Sequence, residues 1–237
     1  MGSLTAGAAA VLVSAVAVTV SACGSEESAA PLPSFGPVVR PPHATAAPIT
    51  DSVVLRNDLL DVGQLPNGYA ALNDPPPGAS GGAGARTDPP QCAKVLAPVS
   101  EQVPGAAADA VAQFSGPDFA SVDIDAASYA NGGAAQAFSA MQTLLRECTT
   151  YSGKDADDTA VEFRVGGLDQ PGEGDASTAF RVNTTSSGLT LYSAVSLAMV
   201  GSTIVQIAMS GAAEPDPQQL SALTAAQVRK LRGVAGP

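Results

Sequence analysis

Hydrophobic and polar residues alternate along several stretches of the chain, as they do in strands that bury one face. One such stretch, 120–129, places Val122 and Ile124 on one side. Asp123 and Asp125 fall on the other side, so the apolar pair should face a core. Similar patterns predict strands at 69–72, 110–115, 159–165, 177–183, 189–199 and 203–209.

Helical spacing of apolar residues predicts a helix that begins after Asn131 as its N-cap. Its apolar stripe consists of Ala134, Phe138, Met141, Leu144, Leu145 and Cys148. Asp88-Pro89 predicts the start of another helix, which would carry Cys92, Val95, Leu96 and Val99 at helical spacing. The range 215–231 predicts a terminal helix with cations near its end, and 57–60 predicts a short one.

The order of these elements indicates the fold class. Few of the predicted strands are connected through a helix, and Val200-Gly201-Ser202 indicates a tight hairpin between the last two strands. Such connections are typical of antiparallel pairing, with helices packed on the sheet. We therefore expect an α+β domain with a largely antiparallel sheet of about six strands flanked by helices.

The N-terminus has a different pattern, since residues 4–22 carry no charge and end in small residues before Cys23. This is typical of an export signal, so 1–22 is predicted to be a signal peptide. Val20-Ser21-Ala22-Cys23 resembles the lipobox of bacterial lipoproteins. That resemblance implies cleavage after Ala22 and lipidation of Cys23, which would hold the chain on the outer face of the cytoplasmic membrane. An uncleaved transmembrane anchor and an ordinary secretory signal remain alternatives.

The residues after Cys23 are rich in proline up to about residue 50. Six prolines are mixed with alanine and serine over 23–50, a composition that stays extended and buries no core. We expect a disordered tether over 23–50 and a folded extracytoplasmic domain over 51–233.

Charge and cysteine content narrow the partners. The net charge of -11 repels phosphate backbones, so nucleic acid is not expected as a partner. With Cys23 lipidated, Cys92 and Cys148 remain as an even pair in an exported chain, which favours a disulfide over two free buried thiols.

Several short motifs carry a resemblance over roughly 51–233. They are Leu59-Leu60, Leu65-Pro66-Asn67-Gly68-Tyr69, Cys92, Cys148 and Gly174-Asp175. Together they resemble actinobacterial, mycobacterial-type lipoproteins whose sensor domain is similar to the extracellular domain of the kinase PknH. The resemblance implies an antiparallel sheet flanked by helices, a cleft for a ligand, and no enzyme activity. The extracellular domain of that kinase has two disulfides, whereas this chain can form one.

Candidate catalytic groups are few. The single histidine, His43, lies in the predicted tether, so a nucleophile paired with a histidine is not expected, and neither is a zinc site. Asp123 and Asp125 could bind a cation or act as an acid/base pair. The alternative is a solvent-exposed face on which they pair with Arg164 or Arg181 from neighbouring strands.

These observations lead to three hypotheses of function. The first is a lipid-anchored, non-enzymatic domain without a cofactor that binds a small ligand or an envelope protein; Asp123, Asp125, Arg164 and Arg181 are its weak candidate contacts. The second is a lipid carrier, because the apolar hairpin 189–209 could wall a pocket for an acyl chain. The third is a carboxylate-based hydrolase of cell-wall polymer.

Overall fold

The computed structural model describes residues 31–43, 46–72 and 86–234. Within these residues the alternating stretches form strands that pair in one sheet. The strands are β1 (Ala70–Ala71), β2 (Arg86–Asp88), β3 (Ala108–Ser115), β4 (Ser121–Ser128), β5 (Thr150–Lys154), β6 (Ala160–Gly167), β7 (Ala176–Ser186), β8 (Leu189–Val200) and β9 (Thr203–Gly211). Their order in the sheet is β1-β3-β4-β9-β8-β7-β6-β5-β2, and all neighbours are antiparallel.

The α+β class and the antiparallel sheet confirm the prediction, but the strand number does not. About six strands are predicted, and the described residues form nine. The sequence pattern missed β2 and β5. Both are short and mostly polar, and β2 lies at an edge of the sheet, so backbone pairing defines them rather than an apolar face. The predicted hairpin is present, with Val200 paired to Thr203 around Gly201.

Four α-helices accompany the sheet in the described chain. They are α1 (Ser52–Asn57), α2 (Val99–Gln102), α3 (Gly133–Glu147) and α4 (Pro217–Leu231). Three 3-10 turns occur at Val62–Gln64, Pro90–Lys94 and Pro117–Phe119. The long helices α3 and α4 were predicted close to their observed bounds, because each has a stripe of buried residues at helical spacing.

Two of the predicted helices differ from the structure. The helix expected from Asp88-Pro89 through Val99 is broken into a 3-10 turn and the single-turn α2. The break comes at Pro98, because proline has no N–H for a helical hydrogen bond and disfavours helix in the residue before it. The helix expected at 57–60 lies earlier, at α1, where the Asp51 side chain caps the first turn.

Helices cover both faces of the sheet. On one face α1 and α4 enclose a core that includes Leu55, Leu60, Phe114, Ile124, Ile207 and Leu220. On the other face α3, the Pro90–Lys94 turn and α2 enclose two further clusters, which include Val95, Phe138, Met141, Phe163, Phe180 and Leu197. We refer to these as the α4 face and the α3 face.

The structure differs from the predicted tether over 23–50. The compact unit begins at Leu32, and the segment 32–39, which we call the strap, lies against the end of β6 and against α3. Phe35 and Val39 pack on the core of the α3 face, and further along, Ile49 packs on the core of the α4 face. The prediction considered only the apolar content of this segment, whereas backbone hydrogen bonds also hold it.

Residues 1–22 and Cys23 lie outside the described residues, so the signal peptide and the lipidation site stay predictions. Among the described residues, no helix has the length and apolar character needed to cross a bilayer.

Candidate functional site

Asp125 is buried beneath α2. Its side chain is 8% exposed. One carboxylate oxygen accepts a hydrogen bond from the Val99 N–H at 2.6 Å, and the other accepts from Gln206 Nε2 at 3.1 Å. The prediction that Asp125 lies on a solvent-exposed face is therefore wrong, because α2 covers this part of the sheet.

Burial changes the acidity of Asp125. Desolvation raises its pKa to about 7, hydrogen bonds from Val99 and Gln206 oppose the rise, and the charges of Asp123 and Glu101 add to it. Asp123 also has a raised pKa, mainly through burial, and accepts hydrogen bonds from Gln113 Nε2 at 2.9 Å and Ser121 Oγ at 3.1 Å. The two carboxylates thus share a face of β4 but sit in separate hydrogen-bond networks.

The polar side chains around Asp125 hold the segment 97–103 on the sheet. Gln102 Nε2 donates to the Ala97 carbonyl at 2.7 Å and to Gln206 Oε1 at 2.9 Å. The Tyr129 hydroxyl donates to the Val103 carbonyl at 2.8 Å, and burial raises its pKa to about 12. Since these groups satisfy one another, we assign the Asp125 network a structural role.

The candidate arginines lie on the opposite face from the aspartates. Cross-strand partners have side chains on the same face of a sheet. Asp125 pairs with Gln206, Gln206 with Leu197, and Leu197 with Thr178, so Thr178 of β7 is on the same face as Asp125. Side chains alternate along a strand, so Arg181 points to the other face, where it donates to Glu214 at 3.1 Å. Arg164 pairs with Asn183 and shares the Arg181 side. The predicted pairing of the aspartates with these arginines is wrong.

Cys92 and Cys148 form a disulfide with a Cα–Cα distance of 5.6 Å, as the sequence predicts. It joins the Pro90–Lys94 turn to the end of α3, and both cysteines are buried in the core of the α3 face. Since both cysteines are buried and neither lines the cavity described below, we assign the bond the role of a structural crosslink. His43 is described and exposed.

A cavity of about 460 Å³ lies where β6 leaves the sheet. β6 pairs with β7 only from Phe180 onward, whereas β8 pairs with β7 from Ala176. The first residues of β7 therefore have no β6 neighbour, and the loop 168–173 contacts them through the hydrogen bonds of Leu168 to Ala179 and of Glu173 to Ser177. We call this opening the strap cavity, because one wall is the strap.

Four other parts of the chain complete the wall. Gly167 at the end of β6 and the loop 168–173 form one stretch of it, and β7 contributes Ser177, Thr178 and Ala179. Ser196 lines the cavity from β8, and Ser221 and Thr224 line it from α4. Thr178 belongs to the α3 face and Ser177 and Ser196 to the α4 face, so the cavity is bordered by side chains from both faces.

The hydroxyl groups of the cavity have defined hydrogen-bond directions. The Thr224 hydroxyl donates to the Leu220 carbonyl at 2.8 Å. In the 2.6 Å hydrogen bond between the Ser196 and Thr224 hydroxyls, Ser196 is therefore the donor. Ser196 can then offer a ligand only acceptor lone pairs. The Ser177 oxygen accepts from the Glu173 N–H at 2.8 Å and keeps its own proton for donation. The site thus presents one acceptor and one donor on neighbouring strands.

The charged side chains of the cavity are acidic. Asp169 and Glu173 line it, and no Lys, Arg, His or Cys is among its lining residues. Within the described ranges, no cluster of three His, Cys, Asp or Glu side chains is arranged to hold a metal ion, and no buried side-chain nitrogen or oxygen lacks a partner. This chemistry suits a neutral or cationic polar ligand with an apolar part against Phe35 and the prolines.

The residues of this site carry no motif by which the sequence could reveal it. Its signals are weak: a glycine pair, Gly166-Gly167, ends a predicted strand, and Ser196 and Thr224 interrupt apolar stripes. Each feature alone is common in ordinary domains. Only the folded chain brings them together.

No protein-family model and no curated protein sequence matches the chain. Among solved structures, the extracellular domain of PknH from Mycobacterium tuberculosis matches with a TM-score of 0.62 at 13% sequence identity, covering 78% of this chain and 98% of that one. The chain shares the fold of that domain. The predicted resemblance to it is therefore confirmed as a likeness of fold.

A second solved structure, an uncharacterised protein of Mycobacterium smegmatis that is the Rv0999 ortholog, gives a TM-score of 0.38 at 15% identity. That match covers 84% of this chain and 91% of the other. Because a shared fold does not transfer a site, the function has to be argued from the strap cavity itself.

Proposed function

We propose that this protein is a non-enzymatic, extracytoplasmic binding domain that holds a small polar ligand in the strap cavity. The observation that carries the proposal is the cavity of about 460 Å³, a volume in the range of sites for small molecules. The shared fold with the extracellular domain of PknH supports a location outside the cytoplasm.

The predicted N-terminal signal supplies the anchor in this proposal. Lipidation of Cys23 would hold the domain on the outer face of the cytoplasmic membrane. The acidic chain would not adhere to anionic lipid by charge, so the acyl groups alone would provide attachment. A mature chain whose intact mass lacks this modification would contradict the anchor without affecting the ligand site.

The proposal of a binding protein, rather than an enzyme, rests on the chemistry of the lining. General acid/base or nucleophilic catalysis needs a group positioned beside the substrate. The lining residues include two carboxylates, Asp169 and Glu173, and the first of these is exposed to solvent. Asp125, the acid with the strongly raised pKa, lies under α2 with both oxygens occupied, which argues against the hydrolase hypothesis.

The lipid-carrier hypothesis is not favoured by any observation. From Ala194 onward, most apolar side chains of the β8–β9 hairpin are buried in the cores of the two faces, whereas Leu189 and Leu191 are exposed. Only Ser196 of that hairpin lines the strap cavity. The strap cavity combines an apolar wall with hydroxyls and two carboxylates, which suits a polar molecule with an apolar part better than a plain acyl chain.

Native mass spectrometry of the full mature chain purified from its own host tests the proposal. We expect a non-covalent adduct of a small polar molecule, at up to one copy per chain. An adduct that is an acyl lipid would favour the carrier instead. Turnover of any substrate, with loss of activity in Asp123→Asn or Asp125→Asn, would overturn the non-enzymatic reading.

A further inference from the structure

The strap supplies a large part of the ligand cavity. Residues Pro33, Ser34, Phe35, Gly36, Pro37 and Val39 line it. We infer that the strap is a docked wall of the ligand site, so that strap docking and ligand binding stabilise each other. The ligand half of this inference rests on the proposed function.

Strap docking depends on contacts to its backbone. The Gln142 side chain donates to the Val39 carbonyl at 2.8 Å and accepts from the Val39 N–H at 2.9 Å. Gln142 is 4% exposed, so its amide group has left water and depends on these two bonds. The Val39 backbone therefore explains why the polar Gln142 is buried on the apolar face of α3.

Two further contacts hold the strap on either side of the cavity. Arg146 donates to the Gly36 carbonyl at 2.6 Å, and its guanidinium lies 5.5 Å from the centre of the Phe35 ring. At the end of β6, the Gly167 N–H donates to the Pro33 carbonyl at 2.7 Å. The strap therefore bridges α3 and β6 and encloses the opening between them.

The end of β6 is shaped for this close approach. A Cβ atom on Gly166 would lie 2.5 Å from Leu32 Cβ and 2.6 Å from the Pro33 oxygen. One on Gly167 would lie 2.6 Å from the Ser34 oxygen. All three contacts are shorter than packed atoms allow, so glycine at these two positions is needed for the strap to dock.

Coupling follows from the shared wall. A molecule that contacts both the strap and β7 binds only the docked state, and it therefore stabilises docking by the same factor by which docking raises its affinity. The strap also lies between the predicted anchor and the domain. With the strap docked, the chain from Cys23 to Leu32 spans at most about 30 Å, and an undocked strap would lengthen that reach.

Hydrogen exchange of the full mature chain tests the docking half. Gln142→Ala removes both bonds to Val39, and we expect exchange of the Val39 and Gly167 amides to rise together by about 30-fold, the effect of two hydrogen bonds. Gln136→Ala, an exposed position on the same helix, is the matched control and should leave both amides unchanged.

The Gly167 amide is the decisive reporter, because Gln142 does not bond to it. If Gln142→Ala accelerates Val39 alone, the strap does not move as a unit and the inference fails. Protection of core amides in β8 shows whether each variant remains folded. Should Gln142→Ala lose that protection, Phe35→Ala replaces it, with the same expected rise at Gly167 and the same failure criterion.

Native mass spectrometry of the same variants tests the ligand half, with the co-purified small molecule as the probe. We expect removal of the molecule to speed exchange at Gly167. We also expect Gln142→Ala to bind it up to about 30-fold more weakly than the Gln136→Ala control, the full factor applying when the strap of the variant is mostly undocked. A wild-type chain without any adduct would overturn the proposed function. An adduct on the wild type whose removal leaves exchange at Gly167 unchanged would overturn the coupling alone.

Discussion

The buried carboxylate of Asp125 should make the stability of this protein depend on pH in an unusual direction. Most carboxylates in folded proteins have lowered pKa values and lose stabilising contacts in acid. Asp125 has the opposite shift, since desolvation raises its pKa from 3.8 to about 7. Between these two values the folded chain binds a proton that the unfolded chain does not, so the free energy of unfolding should fall as the pH rises through this window.

The size of the effect follows from the shift. A difference of about 3 pKa units corresponds to up to about 4 kcal/mol at 1.36 kcal/mol per unit. The contribution is fully present below pH 3.8, falls progressively between there and about pH 7, and is absent above. Asp125→Asn cannot titrate at this position. Its amide keeps an acceptor for the Val99 N–H but places an NH₂ group near Gln206 Nε2, which adds an offset that does not vary with pH.

Urea unfolding of the wild type and Asp125→Asn, with the disulfide intact and at pH values from about 4 to about 8, measures this difference. We expect the free energy of unfolding of the variant to improve relative to the wild type by up to about 4 kcal/mol as the pH rises. Asp109→Asn, an exposed carboxylate on the neighbouring β3, reports the generic effect of removing one charge. If the difference between wild type and Asp125→Asn stays constant with pH, Asp125 is not buried as described.

Three other substitutions have defined outcomes. Replacing Cys92 and Cys148 together by Ala should lower the free energy of unfolding by about 4 kcal/mol, since the bond spans 56 residues; a loss below about 1 kcal/mol in urea unfolding would contradict a structural crosslink. Gly167→Ala should expose the strap to limited proteolysis near Phe35, whereas Gly172→Ala, whose Cβ would meet nothing within 4 Å, should not; equal cleavage of both variants would count against strap docking. Phe119 is 94% exposed and has a φ of 61°, next to Asp118 with a φ of 53°. Replacing Phe119 by Asn, which tolerates this conformation better, should raise the free energy of unfolding by about 0.5–1 kcal/mol. Destabilisation in thermal unfolding would refute this prediction.

The sequence was informative where a single face of an element faces a core. β4 was predictable from the alternation around Ile124, and α3 from the helical spacing of apolar residues around Phe138. The β8–β9 hairpin was predictable from the turn residues Val200-Gly201-Ser202. β5 was not predictable in this way, because its five residues are mostly polar and pair through their backbone.

The burial of Asp125 shows what hydrophobic periodicity cannot predict. The alternation along β4 correctly places Asp123 and Asp125 on one face, but it cannot say whether another element covers that face. The single turn of α2, which begins directly after Pro98, covers Asp125, and its Val99 N–H donates to the carboxylate.

The strap shows a different limit. Composition predicts that a proline-rich segment buries no core of its own, and the strap does not need one. It docks through carbonyl and N–H groups that every residue carries, onto Gln142, Arg146 and Gly167, which are more than a hundred residues away in the chain. No local pattern encodes such a partnership, so neither the strap nor the cavity it closes could be predicted.

The ligand in the strap cavity is the central claim, and occupancy of two variants on one strand tests it most directly. Thr178 lines the cavity, and Thr184 lies on the same face of β7 outside it. Native mass spectrometry of both full chains from the host should find the small-molecule adduct absent from Thr178→Phe, where the ring fills the cavity, and present on Thr184→Phe at the wild-type level. Equal adduct on both variants would place the ligand elsewhere and contradict the account.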